Sequence, residues 1–187
     1  LLLNRRTGYY PQLRQVLVYP AAFLVQRSQH DGAVQHEQRH ALAGESWSQG
    51  QVILSWDDAL QGATTVGDGR NVVIHEFAHK LDMLNGDADG MPALHSGMAE
   101  NDWQAVFSTA YDDFCRRVDS GEDTLIDPYA SDDPGEFFAV LSESFFEIPD
   151  VVAGEYPALY DLLRRYYRQD PLARLTKAAS ASSTAAS

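Results

Sequence analysis

Apolar and polar positions alternate in two short stretches of the chain and recur at helical spacing in four longer ones. Residues 15–23, QVLVYPAAF, combine β-branched and aromatic side chains with Pro20, which predicts a short strand ending near Tyr19. Residues 51–56, QVILSW, form a second strand candidate, bounded by Gly50 and by Asp57-Asp58. The period then changes. Residues 71–84, NVVIHEFAHKLDML, read as a helix, and so do residues 99–118, where Trp103, Val106, Phe107, Ala110, Phe114 and Val118 repeat at helical spacing. A third helix is predicted from Pro134 to about Glu147. A fourth runs from Glu155 to Arg168, with Tyr156, Leu159, Tyr160, Leu163, Tyr166 and Tyr167 on its apolar face. The pattern predicts an α+β protein, mostly helical, with a small sheet near the first helix.

The segments between these elements read as loops. Residues 28–50 are polar and carry His30, His36 and His40; the last two are four apart, but no apolar stripe supports a helix there. Residues 61–70 are rich in Gly, Thr and Asp and read as a loop leading into the first helix. After Leu84, Asn85-Gly86 stops the helix, and residues 85–97 lack periodicity, which predicts a mobile surface loop in which His95 reads first as a plain loop histidine and only second as a residue on the rim of a nearby site. Asp87 and Asp89 stand as D-x-D, but the Glu that closes a calcium loop is missing. Residues 119–133 read as an acidic, solvated loop. From Thr176 onward, TKAASASSTAAS has nothing to bury and is expected to be a disordered tail, leaving residues 1–175 as one domain.

Composition narrows the function classes. The chain has 187 residues and a formal net charge of −13, with 14 Lys and Arg against 27 Asp and Glu, which argues against binding nucleic-acid phosphates. No apolar run approaches the length of a membrane span, so a soluble protein is the expectation, and a cytoplasmic one is compatible with the single cysteine. The chain begins LLLNRR rather than with Met, so its first residues say nothing of a targeting signal. The lone Cys115 cannot form an internal disulfide and reads as a small buried residue.

Candidate chemistry sits in the first helix, at His75-Glu76-Phe77-Ala78-His79. Two imidazoles four residues apart stand one turn apart on one side of a helix and can direct nitrogens at one cation. Glu76 projects about 100° round the helix and can reach a water on that cation without ligating it. With His75 at zero on a helical wheel, His79 and Asp82 fall within about 40° of it. Val73, Ile74, Phe77, Ala78, Leu81 and Leu84 fill the opposite arc, which predicts one chemical face and one core face.

A catalytic zinc needs three protein ligands and an open position. The third histidine of an H-E-x-x-H-x-x-G-x-x-H pattern is absent, and Asp82 stands where its Gly would be, so a carboxylate from elsewhere is the first choice. In the third helix Glu136, Val140, Glu143 and Glu147 line one side, and Phe137, Phe138, Leu141 and Phe145 the other. Spacing leaves Glu136 and Glu143 equal as ligands. Glu136 can instead close a capping box with Asp133, and Glu143 with Glu147 can form a plain wet face.

HEFAHKLDMLNG, YASDDPGEFFAVLSESFF and YPALYDLLRRYYRQDPLARL together resemble the Mlc titration factor A family, over nearly the whole chain. These are gluzincin-type zinc metallopeptidases with a catalytic core similar to that of anthrax lethal factor. The resemblance implies a zincin-like domain with His75, His79 and Glu136 as zinc ligands, Glu76 as general base and Tyr129 facing the reaction centre. It leaves Glu143 and Asp82 as supports that orient a ligand histidine. Members usually carry a further N-terminal helical region, and the resemblance implies that this chain starts after it, an expectation that bears on regulatory contacts more than on chemistry.

The resulting expectation is a zinc-dependent, aminopeptidase-like hydrolase that cleaves peptide substrates with zinc-bound water activated by Glu76. The resemblance also implies a rival, a regulatory protein that sequesters an Mlc-like transcriptional repressor with zinc secondary. Intact Glu76 and Tyr129 favour the enzyme. A purely structural zinc site would favour four closed ligands, commonly cysteines, and only Cys115 is available.

Overall fold

Both alternating runs form strands: β1 (Gln15–Tyr19) and β2 (Gln51–Ser55) pair in parallel, with Gln15 opposite Gln51 and Tyr19 opposite Ser55. The computed structural model describes residues 1–2, 10–20 and 50–177. His30, His36 and His40 lie outside the described residues. Period-2 alternation in β2 buries Val52 and Leu54 while Gln51, Ile53 and Ser55 stay half-buried, so one face of the strand serves the core.

Helix α1 (Trp56–Thr64) follows β2 directly and corrects the expected loop, which shrinks from residues 61–70 to residues 65–70. Asp57 and Asp58, read as the stop of a strand, are the acidic first turn of this helix, where the helix dipole favours negative charge. Ser55 is its N-cap and accepts from the Asp58 amide at 3.3 Å.

Helix α2 (Val72–Asp82) carries the two histidines and is capped by Asn71, whose side chain accepts from the Ile74 amide at 3.1 Å. Its apolar arc is not core throughout. Ala78 and Leu81 are buried, but Val73, Ile74 and Phe77 are half-buried and line, with Leu1, Leu2 and Tyr10, a groove of about 320 Å³.

Helix α3 (Glu100–Asp119) buries Trp103, Phe107, Ala110 and Phe114, as its spacing predicts. A 3-10 turn (Pro128–Ser131) then leads to α4 (Pro134–Glu147), opened by Pro134 and capped by Asp133, which accepts from the Glu136 amide at 2.9 Å. Every residue of α4 from Gly135 to Phe145 is buried and Glu147 is half-buried, which removes the alternative of a plain wet face for Glu143 and Glu147. A helix buried all round is the centre of a fold. It packs on α2, on the 3-10 turn and on the C-terminal helices.

The fourth predicted helix starts at Pro157 rather than Glu155, and a short helix that the pattern does not predict precedes it. α5 (Pro149–Glu155) and α6 (Pro157–Tyr167) are separated by Tyr156 at φ −132° and ψ 65°. Pro157 is the cause: its ring clashes with a helical residue before it and it has no N–H to continue α5. Arg168 ends α6 in the left-handed region at φ 52°. Residues 171–177 are helical, so Thr176 and Lys177 belong to a helix rather than the expected tail, whose remainder lies outside the described residues. Aromatic rings bind α3, α4 and α6 together, with Trp103 against Tyr166 at 5.2 Å and Phe107 against Phe137 at 5.2 Å between centroids. No helix among the described residues is long and apolar enough to cross a membrane.

Candidate metal centre

The packing of α2 on α4 turns three predicted side chains toward one point. Nε2 of His75 lies 3.1 Å from Nε2 of His79, and the Glu136 carboxylate reaches both, with Oε2 3.2 Å from His75 and Oε1 3.2 Å from His79. Lone-pair atoms this close repel one another unless a proton or a cation lies among them. Four ligands at about 2.0–2.1 Å around a tetrahedral zinc stand about 3.3 Å apart, so the observed triangle is close to one face of that tetrahedron. The donor set of two imidazoles and one carboxylate suits zinc chemically. The residues therefore fit a metal, and among the described residues this is the cluster of His, Cys, Asp or Glu side chains able to hold one.

Glu143, about two turns along the same face from Glu136, is also buried, and its Oε1 is 2.7 Å from Nδ1 of His75. Its other oxygen accepts from the backbone amide of Asn71, the N-cap of α2. Glu147 continues the brace by accepting from Nδ2 of Asn71 at 3.0 Å. These carboxylates are not a wet face: they tie the start of α2 to α4. Asn71 carries no predicted role and Glu147 only a place on a wet face, although an Asn before an apolar-periodic run and acids four apart on one helix are readable signals.

Glu136 does not close a capping box; its side chain points at the histidines while its amide is held by Asp133. Tyr129, on the 3-10 turn, sets its ring 6.3 Å from the His75 ring with planes 29° apart. Arg70 pairs with Asp127 at 2.8 Å and so links the segment before α2 to that turn. Glu76 is half-buried beside His75, and its charge acts on Lys80.

The hydrogen bond that Asp82 accepts comes from the loop after α2 and not from a histidine. Asp82 is fully buried, and its carboxylate accepts from the Gly90 amide at 2.8 Å. Burial pushes its carboxyl up to about 7, against the lowering effect of the Gly90 hydrogen bond and with help from Asp89 and Asp133. His95 sets its Nε2 2.9 Å from the Arg165 carbonyl, which holds the loop to α6. Cys115 is half-buried rather than buried.

Burial alone would lower the His75 imidazole, but hydrogen bonds and charges from Glu136 and Glu143 outweigh it and push it up to about 10. In the metal-free protein this shift stabilises the fold fully below pH 6.5 and is lost as pH rises through about 10. Metal can bind only the neutral imidazole, whose fraction falls tenfold per pH unit below that value. Zinc uptake at pH 7 is therefore expected to release about one proton and to weaken about tenfold from pH 8 to pH 7. Calorimetric titrations in buffers of different ionisation enthalpy measure that proton count; a value of zero would contradict the charged His75.

The model of the glucose-regulated metallo-peptidase M90 family matches residues 1–168. An uncharacterized protein of Synechocystis sp. is 40% identical over 174 residues, covering 92% of this chain and 63% of its own length. Mlc titration factor A of Yersinia pestis is 41% identical over 170 residues, covering 87% of this chain and 61% of its own length, and the Yersinia pseudotuberculosis protein of the same name matches equally. The chain thus spans 61–63% of the length of these relatives.

Proposed function

The chain belongs to the glucose-regulated metallo-peptidase M90 family, and from that premise we propose that it is a zinc-dependent, aminopeptidase-like peptidase of the gluzincin type on a zincin-like fold. The observation that carries this reading is the buried triangle of His75, His79 and Glu136 with Glu76 beside it on the same helix. Held by those three residues, zinc would supply Lewis acidity to the scissile carbonyl and lower the pKa of a water. Glu76 takes the proton from the attacking water and returns it to the leaving amine. Tyr129 donates a hydrogen bond to the developing oxyanion, an interaction worth about 3 kcal/mol in other hydrolases. Glu143 accepts from Nδ1–H of His75, fixing the tautomer that offers Nε2 to the metal. Residues 1–175 form the catalytic unit on this reading, in a cytoplasmic protein.

A panel of aminoacyl and N-terminally blocked peptides tests the activity with the zinc-loaded protein. Peptides with free amino termini are expected to be cleaved at least about tenfold faster than blocked ones, a difference worth about 1.4 kcal/mol in the transition state. Equal rates would make the protein an endopeptidase, and no cleavage of either would end the enzymatic reading.

The relatives' name favours a second reading, in which the chain titrates an Mlc-like transcriptional repressor. Sequestration requires neither a general base nor an open ligand position, so repressor binding that survives Glu76→Gln unchanged would separate the two roles.

A further inference from the structure

The loop after α2 is built into the fold at one peptide group. The Gly90 amide donates to Asp82 at 2.8 Å, and the Gly90 carbonyl accepts from Nε1 of Trp103 at 2.8 Å. Asp82 and Trp103 are both fully buried, so neither bond is shared with bulk water. Gly90 has φ +78°, and a Cβ there would stand 2.6 Å from the Phe107 ring and 2.7 Å from the Pro134 carbonyl oxygen. Two residues earlier, the Ala88 carbonyl oxygen would be 2.6 Å from a Cβ placed on Gly135. The expected mobile loop is therefore wedged between the last turn of α2, α3 and the first turn of α4.

Those two turns carry the site. Asp82 lies three residues beyond His79, and Gly135 immediately precedes Glu136. The Glu143 and Glu147 contacts tie the first turn of α2 to the later turns of α4, whereas the Gly90 peptide sits at the opposite end, beside the turns that carry His79 and Glu136. We infer that the clasp of Asp82, Gly90 and Trp103 sets the spacing of His79 and Glu136, which makes Asp82 and Gly90 positioning residues for the metal. The inference rests on the reading of this cluster as a metal site. The role requires an acceptor at Asp82 rather than a charge, so Asn can replace it. The partly neutral state that burial imposes on this carboxyl agrees with that requirement.

Zinc affinity by chelator competition, the visible spectrum of the cobalt-loaded protein and thermal unfolding of the metal-free protein test this in Asp82→Ala, Asp82→Asn and His79→Ala. His79→Ala is expected to abolish tight binding. Asp82→Ala is expected to stay folded, bind zinc at least about tenfold more weakly and lose intensity in the cobalt bands as the coordination geometry distorts, an effect of the size seen when supporting groups around metals are removed. Asp82→Asn is expected to restore both readouts. Gly90→Ala is a harsher probe of the same clasp, and the Asp82 pair decides the matter if Gly90→Ala does not fold. A folded Asp82→Ala with parental affinity and spectrum would overturn the inference, as would an Asp82→Asn no better than Asp82→Ala. Parental zinc binding by His79→Ala would instead overturn the metal reading itself, and the clasp's role with it.

Discussion

Glu76→Gln is expected to take up zinc as fully as the parent protein and to hydrolyse peptides about 10²–10⁴-fold more slowly, the usual contribution of a positioned general acid–base group. The two side chains have nearly the same shape, so the packing of α2 on α4 and the triangle of His75, His79 and Glu136 should not change. What is lost is the carboxylate that accepts the water proton, and an amide cannot replace it at any accessible pH. Metal content and peptidase rate must therefore separate. Parental turnover in this variant would end the proposed mechanism, and joint loss of metal and activity would assign Glu76 to the metal site rather than to proton transfer.

The elements that bear the chemistry were legible because local physics decides them. In α2 a helical apolar stripe and histidines four apart point to the same structure. Helix α4 announced its start through Asp133 and Pro134. What stayed hidden depended on contacts between distant segments. The wheel of α4 separates its carboxylates from its phenylalanines, and in an isolated helix those carboxylates would face water. Only the packing of α2 on that side shows that Glu143 braces Asn71 and His75. Spacing for that reason left Glu136 and Glu143 equal, and geometry separates them: Glu136 meets the Nε2 atoms of both histidines, whereas Glu143 meets Nδ1 of one.

Other differences have local causes that were misread. Asp57-Asp58 suits a strand stop and a helix start alike, and the Ser55 cap favours the helix. The Tyr and Leu repeat includes Tyr156, which Pro157 keeps out of the helix, and the short helix from Pro149 to Glu155 carries too few residues to show a period. Composition also made residues 85–97 look mobile, since nothing within the loop says that a Trp thirteen residues after Gly90 will donate to that glycine's carbonyl. Polar satisfaction of a single buried peptide fixes the loop, and such bonds carry no sequence period.

Removing the two α4 carboxylates one at a time should give unequal losses, and the order of the losses distinguishes ligand from brace. Glu143→Gln is expected to weaken zinc binding by about 10–100-fold, because His75 keeps its nitrogen at the metal but loses the acceptor that orients it and raises its basicity. Glu136→Gln is expected to exceed that range, since an amide oxygen is a much poorer ligand for zinc than a carboxylate. One opposing effect makes the comparison sharper. Glu136 and Glu143 together hold the proton on His75 in the metal-free protein, so neutralising either one lowers the His75 pKa and removes part of the competition that metal must overcome. For Glu136→Gln that relief favours binding, and a loss beyond 100-fold must therefore come from ligation itself rather than from the electrostatics of the empty pocket. Chelator competition at pH 7 and pH 9 measures both terms, with a shallower pH dependence expected in each variant than in the parent. If Glu143→Gln lost more affinity than Glu136→Gln at both pH values, the third ligand would be Glu143 and Glu136 its support.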